Sequence, residues 1–238
     1  MITLQDVRSN HNINIMVGKA NEYLRARGYT EHGMRHVTYV SHKTKQILHD
    51  LGFSERMVEL GAIAGFLHDI GNMHNRKHHG VTGANIVFNE LRQMGMDIEE
   101  VTTITTAIAN HEEEIGEPIS PLTAALILAD KSDAHRTRVH RQHEGPANIH
   151  DRVNLAIQDS DLFVDQELGT ITLDIDFDQR ICQIMDYFEI YLKRMEMCKQ
   201  AAAVLGTRFR LVINDLELLG HVETQHYKKA EPAVAKPT

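Results

Sequence analysis

The chain has 238 residues, 42% of them hydrophobic and 24% charged, which is the balance of a globular protein that can bury a real core. Its formal net charge of -8 argues against non-specific binding to nucleic acid, which needs a surplus of lysine and arginine. No apolar run reaches the roughly 20 residues that span a membrane, and the first residues lack the basic and then apolar pattern of a signal peptide. We therefore expect a protein of the cytoplasm that has no membrane partner.

Apolar residues recur at helical spacing almost throughout residues 12–136. A stripe that starts at Ile13 predicts a first helix that ends before Gly28. Further helices are predicted over about residues 31–51, 54–70, 79–94 and 97–114, and a sixth helix starts near Pro121.

Residues suited to helix ends support these boundaries. Ser54 can cap the third helix, and Gly71 can end it. Asp97 can cap the fifth helix, with Glu100 in position to complete a capping box.

The pattern changes after about residue 145. Residues 171–177 alternate between apolar and polar side chains, which predicts the second strand of a hairpin. Asp178 is expected to cap a long helix, and the segment RFRLVIND predicts a further strand. Cys182 and Cys198 are expected in this one helix, 16 residues apart and too distant for a disulfide, as in a reducing cytoplasm.

The long helix is expected to have an apolar face. This face comprises Ile181, Ile184, Met185, Phe188, Leu192, Met195, Cys198 and Ala202. It is a candidate homodimer surface, but packing against the helix's own sheet is the more ordinary role. The predicted fold class is mostly α, with a helical bundle over residues 1–145, a small α+β (ββαβ) domain over 146–226 and a disordered tail over 227–238.

The stretch FLHDIGNMHNRKHHG concentrates five side chains that can bind metals or protons. They are His68, Asp69, His74, His78 and His79. A histidine beside an aspartate at a helix end can be a simple helix cap. So many imidazoles next to a carboxylate instead indicate a metal site.

Side chains from five predicted helices could meet in one cavity, as they do in the metal sites of helical bundles. These candidate metal ligands are His36, His68, Asp69, His79, His111 and Asp130. The set has nitrogen and hard oxygen donors and no thiolate. It suits Fe, Mn, Co, Ni or Zn and, less well, Mg.

The order of these six residues resembles the HD superfamily of metal-dependent phosphohydrolases over about residues 30–136. The two additional histidines, His79 and His111, resemble the binuclear subgroup, which includes the HD-GYP phosphodiesterases. The chain lacks the Gly-Tyr-Pro segment after EEEIGEP, has Asn110 where a double histidine is usual, and has Asn72 where a lysine is common. These differences argue against cyclic-di-GMP as the substrate.

The resemblance implies an HD-domain helical bundle with two divalent metal ions. His36, His68, Asp69 and Asp130 would hold the first ion, and Asp69 would bridge to a second ion. His79 and His111 would hold that second ion. The implied activity is hydrolysis of a phosphomonoester or phosphodiester, a nucleotide or related small phosphorylated metabolite, by a hydroxide that bridges both ions.

Further residues are candidates for catalysis and substrate binding. Asp69, His74 and Lys131 are the catalytic candidates, with His74 as a proton donor to the leaving group. His32, Lys131 and Arg136 are the candidates for binding substrate, and Arg138 is close enough in sequence to join them. His32 could instead support a ligand from behind, and ordinary surface exposure is the alternative for His32, for His74 and for at least two of Lys131, Arg136 and Arg138.

Two nearby assignments also have alternatives. His78 could replace His79 through a one-residue slip, but Gly83 follows His79 by four residues, as in the family's helix. The acidic run 112–114 is interpreted as a solvated helix end rather than a general base.

Two other functions fit the same ligand set. Some HD-fold proteins resemble this chain but use a di-iron pair to activate O₂, which makes an oxygenase an alternative. A nucleotide-binding signalling module without turnover is the third possibility, although it would be expected to have lost ligands.

Overall fold

The computed structural model describes residues 1–139 and 148–219. The predicted domain boundary after residue 145 and the predicted disordered tail over 227–238 both lie outside these residues. Among the described helices, none is both long and apolar enough to cross a membrane.

The described residues form a helical bundle followed by a small α+β unit, which confirms the predicted fold class. The bundle contains α1 (Leu4–Ser9), α2 (His11–Ala26), α3 (Met34–Asp50), α4 (Glu55–Leu67), a 3-10 helix (Ile70–Met73), α5 (His79–Gln93), α6 (Ile98–Ala109), α7 (Pro121–Ser132) and a second 3-10 helix (Arg136–Arg138). The C-terminal unit contains α8 (Ile149–Ala156), β1 (Ile157–Asp165), β2 (Thr170–Phe177), α9 (Ile184–Val204), β3 (Arg208–Ile213) and β4 (Leu216–Leu219).

Two helices, α4 and α7, form the centre of the bundle. Nearly every residue of both is buried, because neighbouring helices cover them on all sides. Gly65 lets α3 and α4 approach closely, since a Cβ there would lie 2.7 Å from the Cα of Ser41. This contact holds the first turn of α3 beside the end of α4.

A second glycine sets the position of α5. A Cβ on Gly71 would overlap the carbonyl oxygen of His79 and lie 2.5 Å from the amide nitrogen of Gly83. The turn after α4 can therefore pack directly on the first turns of α5. Close packing is thus the role of this glycine, whose expected role was to end the helix.

The four strands form one mixed sheet in the order β1-β2-β3-β4. β1 pairs antiparallel with β2, β2 pairs parallel with β3 through the crossover helix α9, and β3 pairs antiparallel with β4. The apolar residues that alternate along residues 171–177 face the core, as predicted. The sequence patterns did not predict α8 or β4.

The start of α9 differs from the prediction. Its N-cap is Gln183, so Cys182 precedes the helix, and Asp178 instead accepts hydrogen bonds from Arg180. Cys182 and Cys198 are both unpaired, as expected.

The predicted apolar face of α9 is also partly wrong. Met185 and Leu192 are 71% and 50% exposed, whereas Tyr187 and Tyr191 are buried. The reason is that α9 packs against α7 on one side and the sheet on another. The rings of Tyr187 and Tyr191 fill that space together with Met195, Cys198 and Ala202 of the predicted face.

The fifth predicted helix is shorter than expected. α6 ends at Ala109, so His111 follows the helix. Asp97 does cap α6, but it accepts from the amide of Glu99. Glu100 pairs with Arg56 instead of completing a capping box.

Candidate metal centre

The six predicted ligands come together from five helices of the bundle. His36 lies in the first turn of α3, His68 and Asp69 follow α4, His79 begins α5, His111 follows α6 and Asp130 lies in the last turn of α7. All are buried except Asp130, whose side chain is 14% exposed.

One group of donor atoms surrounds the Oδ2 side of Asp69. The Nε2 atom of His36 lies 3.5 Å from Asp69 Oδ2 and 3.4 Å from Asp130 Oδ1. The Nε2 atom of His68 lies 3.6 Å from each of the same two oxygens. His36, His68 and Asp130 offer ligand atoms that all lie within 4.8 Å of one another.

A second group lies on the Oδ1 side of the same carboxylate. His79 Nε2 is 3.3 Å from Asp69 Oδ1 and 3.1 Å from His111 Nε2. His68, Asp69 and His111 also offer ligand atoms within 4.8 Å of one another. Asp69 therefore stands between two clusters of imidazole nitrogens.

The hydrogen bonds of the four rings involve Nδ1, so their Nε2 atoms face the centre. Their Nδ1 atoms lie 2.6–2.9 Å from Asp133 Oδ2 and from the carbonyl oxygens of Gly65, Arg76 and Ile108. A carbonyl oxygen only accepts, so those Nδ1 atoms carry the hydrogen, and Nε2 of a neutral ring is a lone pair. Metal-binding histidines are oriented in this way.

Two pairs of these nitrogens face each other at short range. His36 Nε2 lies 3.2 Å from His68 Nε2, and the His79–His111 pair is 3.1 Å apart. Two lone pairs repel at such distances unless a proton or a metal ion lies between them.

Asp69 provides an independent test of whether a cation fits. Its Oδ1 accepts from Asn72 Nδ2 at 2.7 Å, but its Oδ2 is buried without a hydrogen-bond donor among the described residues. An unpaired buried carboxylate oxygen is costly. A divalent cation would relieve this cost, so the residues present fit a metal.

The electrostatics of the centre keep its carboxylates ionised. Burial alone would raise the pKa of Asp69. The neighbouring imidazoles, first His68 and then His36 and His79, outweigh burial and hold that pKa well below its usual range. Burial would also raise the pKa of Asp130. Nearby groups, foremost the charge of Lys131, outweigh burial and hold that pKa well below its usual range.

The imidazoles differ in their charge state. Burial and Arg138 lower the pKa of His36, but hydrogen bonds to Asp130, Asp133 and Asp69 raise it to about 10. A cation that binds there must displace a proton. Burial, together with the neighbouring histidines, holds the pKa of His111 well below its usual value, so that ring is neutral and ready to bind a metal.

Asp133 is a supporting residue that the sequence patterns did not identify. Its Oδ2 lies 2.6 Å from His36 Nδ1, and Arg35 donates to both of its oxygens at 3.2 and 2.7 Å. A signal was available, since Asp133 follows Asp130 by three residues and therefore lies near it on the helix.

Glu112 is a second supporting residue, and its interpretation as part of a solvated helix end is wrong. It is 7% exposed, lies 3.1 Å from His79 Nδ1 and accepts from the amides of His78 and Gly80. Burial would raise the pKa of Glu112. Other interactions, chiefly the hydrogen bond to His79, outweigh burial and lower that pKa to about 2. His79 faces the centre, while the side chain of His78 is exposed.

Of the remaining predicted site residues, the structure brings Lys131 and His32 to the centre. Lys131 is buried, and its Nζ lies 2.5 Å from Asp130 Oδ2. The His32 ring is 5.3 Å from the His36 ring, and its Nδ1 lies 2.6 Å from the carbonyl oxygen of Thr30.

His74 and Arg136 are not brought to the centre. Both are exposed, and Arg136 donates to Gln158 on the C-terminal unit. His74 follows the 3-10 helix, whose packing on α5 leaves that end in solvent. The proposed roles of His74 as a catalytic residue and Arg136 as a substrate-binding residue are therefore not supported by their positions.

A cleft with two lobes adjoins the centre. The metal lobe is a cavity of about 400 Å³, and the distal lobe is a cavity of about 470 Å³. His79 and Lys131 line the metal lobe, and His32 lines the distal lobe. Four residues line both lobes: Arg27, Tyr29, Arg76 and Arg194.

Arg76 is the cation of this cleft that lies nearest Asp69. Its Nη1 lies 3.9 Å from Asp69 Oδ1 and donates to Asn72, and its guanidinium carbon is 5.9 Å from the centre of the Tyr29 ring. The sequence patterns did not identify Arg76. Its closeness in sequence to the His-Asp pair was the available signal.

Comparisons with known proteins add family information. The HD domain family model matches residues 33–135. A solved structure from an uncultured Thermotogales bacterium, described as a predicted HD superfamily hydrolase, is 26% identical. The match covers 52% of this chain and 67% of that chain, with a TM-score of 0.42. A search of curated proteins finds no match. The stretch that matches the HD domain family model, residues 33–135, includes all six converging side chains.

Proposed function

We propose that this protein is a metal-dependent phosphohydrolase that uses two divalent cations to cleave a phosphate ester, such as a nucleotide or a related small metabolite. The HD domain supports a metal-dependent hydrolase in general. One observation carries the two-metal proposal: the two oxygens of Asp69 face two separate clusters of imidazole nitrogens, and one oxygen has no donor among the described residues.

The ligands divide between the two cations according to which oxygen of Asp69 they face. One cation would be held by His36, His68, Asp69 and Asp130, and the other by Asp69, His79 and His111. Divalent cations, when bound, make water a stronger nucleophile near neutral pH and neutralise charge on phosphoryl oxygens.

The chain's own cations are placed to bind and orient a phosphate group. Lys131 is tied to the ligand Asp130, and Arg76 lies beside the ligand Asp69. Both line the metal lobe, where they can donate to the non-reacting oxygens of the phosphoryl group. Glu112 and Asp133 keep His79 and His36 in place while the substrate binds.

The experiment is a measurement of metal content and phosphate release with Asp69→Asn. Asparagine keeps the shape but cannot bind two cations, so we expect loss of retained metal and at least a 100-fold fall in kcat/KM on a panel of phosphomonoesters and phosphodiesters with Mn²⁺. Asp174→Asn, an exposed change on β2, should leave both quantities unchanged.

The same assays separate the rival functions. Full activity of the Asp69→Asn variant would refute the assignment. Turnover that consumes O₂ and stops under anaerobic conditions would favour the di-iron oxygenase. Nucleotide binding without any product would favour the signalling module.

A further inference from the structure

We infer that the C-terminal unit supplies the specificity of the cleft: the distal lobe receives the leaving group of the phosphate ester, and Asn154 accepts a hydrogen bond from it. The leaving group would be a planar heterocycle with an N–H donor, as in a nucleoside. This inference rests on the proposed phosphohydrolase function.

The distal lobe adjoins the metal lobe. Arg27, Tyr29, Arg76 and Arg194 line both cavities. A phosphoryl group bound beside Arg76 would therefore leave the rest of the ester in the distal lobe. Part of that lobe is lined by the C-terminal unit, through Asn148, His150, Asn154 and Tyr191.

Asn154 lines this lobe and has a side-chain acceptor without a donor among the described residues. The residue is 2% exposed, and its Nδ2 donates to the carbonyl oxygen of His150 at 2.8 Å and to the hydroxyl of Tyr191 at 2.9 Å. Because a carbonyl oxygen can only accept, this contact determines which end of the amide is nitrogen. The Oδ1 atom is then buried without a donor among the described residues, which is costly unless a ligand or a water supplies one.

Tyr191 has a hydrogen-bond donor that complements this acceptor. Its hydroxyl oxygen accepts from Asn154, so its own hydrogen stays available for donation. An acceptor beside a donor matches the edge of a nucleobase, where an N–H stands next to a carbonyl oxygen or ring nitrogen. Neither of these two groups carries charge, so together they suit the edge of a neutral ring.

Flat side chains border the same lobe. The guanidinium of Arg194 lies 4.5 Å from the centre of the Tyr191 ring and is held by Glu113 at 2.6 Å. Tyr29 lies under Arg76 on the other side of the shared opening. Aromatic rings and guanidinium planes are the surfaces on which bases stack. A cavity of about 470 Å³ is also within the usual size of a small-molecule site.

The first test measures binding without phosphate or metal. Protein treated with EDTA is titrated with adenosine, guanosine, cytidine and uridine and followed by NMR. We expect at least one nucleoside to bind, and Asn154→Leu to weaken that binding about tenfold, since a buried hydrogen bond is lost. Tyr191→Phe, which keeps the ring, should weaken it as well. Lys193→Ala, an exposed change on α9, should have no effect.

The second test uses the metal-loaded protein. The ratio of kcat/KM for a nucleoside monophosphate to that for phenyl phosphate, which has no N–H donor, should fall about tenfold in Asn154→Leu, while kcat/KM for phenyl phosphate stays the same. Thermal melts show whether Asn154→Leu folds. If it does not fold, the same ratio is measured in Tyr191→Phe.

The outcomes separate this inference from the proposed function. Phosphate release with no nucleoside binding, or with a ratio that is independent of Asn154 and Tyr191, would overturn the inference and leave the hydrolase standing. Nucleoside binding that depends on Asn154, without hydrolysis of any ester, would overturn the hydrolase and keep the lobe as a binding site.

Discussion

The side chain of Asp133 orients His36, one of the proposed metal ligands, from behind. Its carboxylate lies against Nδ1 of His36 and is itself fixed by Arg35 and Arg138. Burial would raise the pKa of Asp133, but Arg138 and His36 outweigh it, so the group remains an anion. An anion behind the ring makes the imidazole a stronger ligand.

Asp133→Asn should therefore weaken metal binding without removing a ligand. The amide keeps the shape of the side chain but loses its charge. We expect affinity for the cation held by His36 to fall about 10- to 100-fold, as measured by competition with a chelator. Asp174→Asn is the control, and an unchanged affinity in Asp133→Asn would contradict the role of Asp133.

Histidine placement could be predicted from sequence at this scale, but supporting groups could not. His36, His68 and His111 match histidine positions of the HD superfamily pattern, and the structure brings them together. Asp133 and Glu112 resemble ordinary acidic residues in sequence. Only the packing of α7 beside α3, and of the segment after α6 beside α5, places them against imidazoles.

Among the helices, the contact between α3 and α4 positions the first ligand group. Ser41 donates its hydroxyl to the carbonyl of Ala62, and Gly65 lies directly on the backbone of α3. His36 and His68 lie at matching levels of these two helices. Their separation therefore depends on how closely the backbones approach.

Gly65→Ala should disturb both stability and metal binding. The added Cβ would lie 2.7–2.8 Å from backbone atoms of Ser41 and Val40, which cannot move without separating the helices. We expect a loss of about 1–3 kcal/mol in the free energy of unfolding, measured by urea denaturation, and weaker metal retention.

Gly18→Ala in α2 is the matched control for this change. A Cβ at Gly18 would meet nothing within 4 Å, so the substitution should stabilise the protein by about 0.5–1 kcal/mol through helix propensity. Equal effects of the two substitutions would show that close approach at Gly65 does not matter.

The periodicity of apolar residues predicted which helices form, but it did not predict where they end. The period of apolar residues predicted α3 to α7, because α3, α5 and α6 each turn one face toward a core that α4 and α7 occupy. α6 ends earlier than predicted because the ring of His111 turns back to the carbonyl of Ile108. The buried face of α9 was mispredicted because two neighbours, rather than one, cover it.

Across the whole molecule, residues of both the helical bundle and the C-terminal unit line the cleft. Glu113 pairs with Arg194 at 2.6 Å and lies 3.6 Å from Lys131. The ligand-bearing helix α7 also packs on α9. Metal binding and the position of the C-terminal unit are therefore connected through shared contacts.

Removal of metal should lower the thermal stability of the whole protein. Ions that bind only the folded state stabilise it by about 2.7 kcal/mol at 100 times Kd, which corresponds to roughly 5–10 °C in Tm for a chain of this size. Calorimetry with Mn²⁺ and with EDTA measures the shift. Asp69→Asn should show almost no shift in Tm between the two conditions. A shift as large as that of the unmodified protein would mean that the ions bind elsewhere.

The sequence by itself determined the helical class, the α+β appendage and the six side chains that converge, because local periodicity and short motifs specify these features. The tertiary structure decided the rest. It brought Arg76, Arg194 and Asn154 to the cleft and kept His74 and Arg136 away from it. Asn154 and Tyr191, for example, are 37 residues apart and meet only because α8 packs on α9. The physical reason is that contacts between distant segments depend on how helices pack, and no local pattern of residues records that packing.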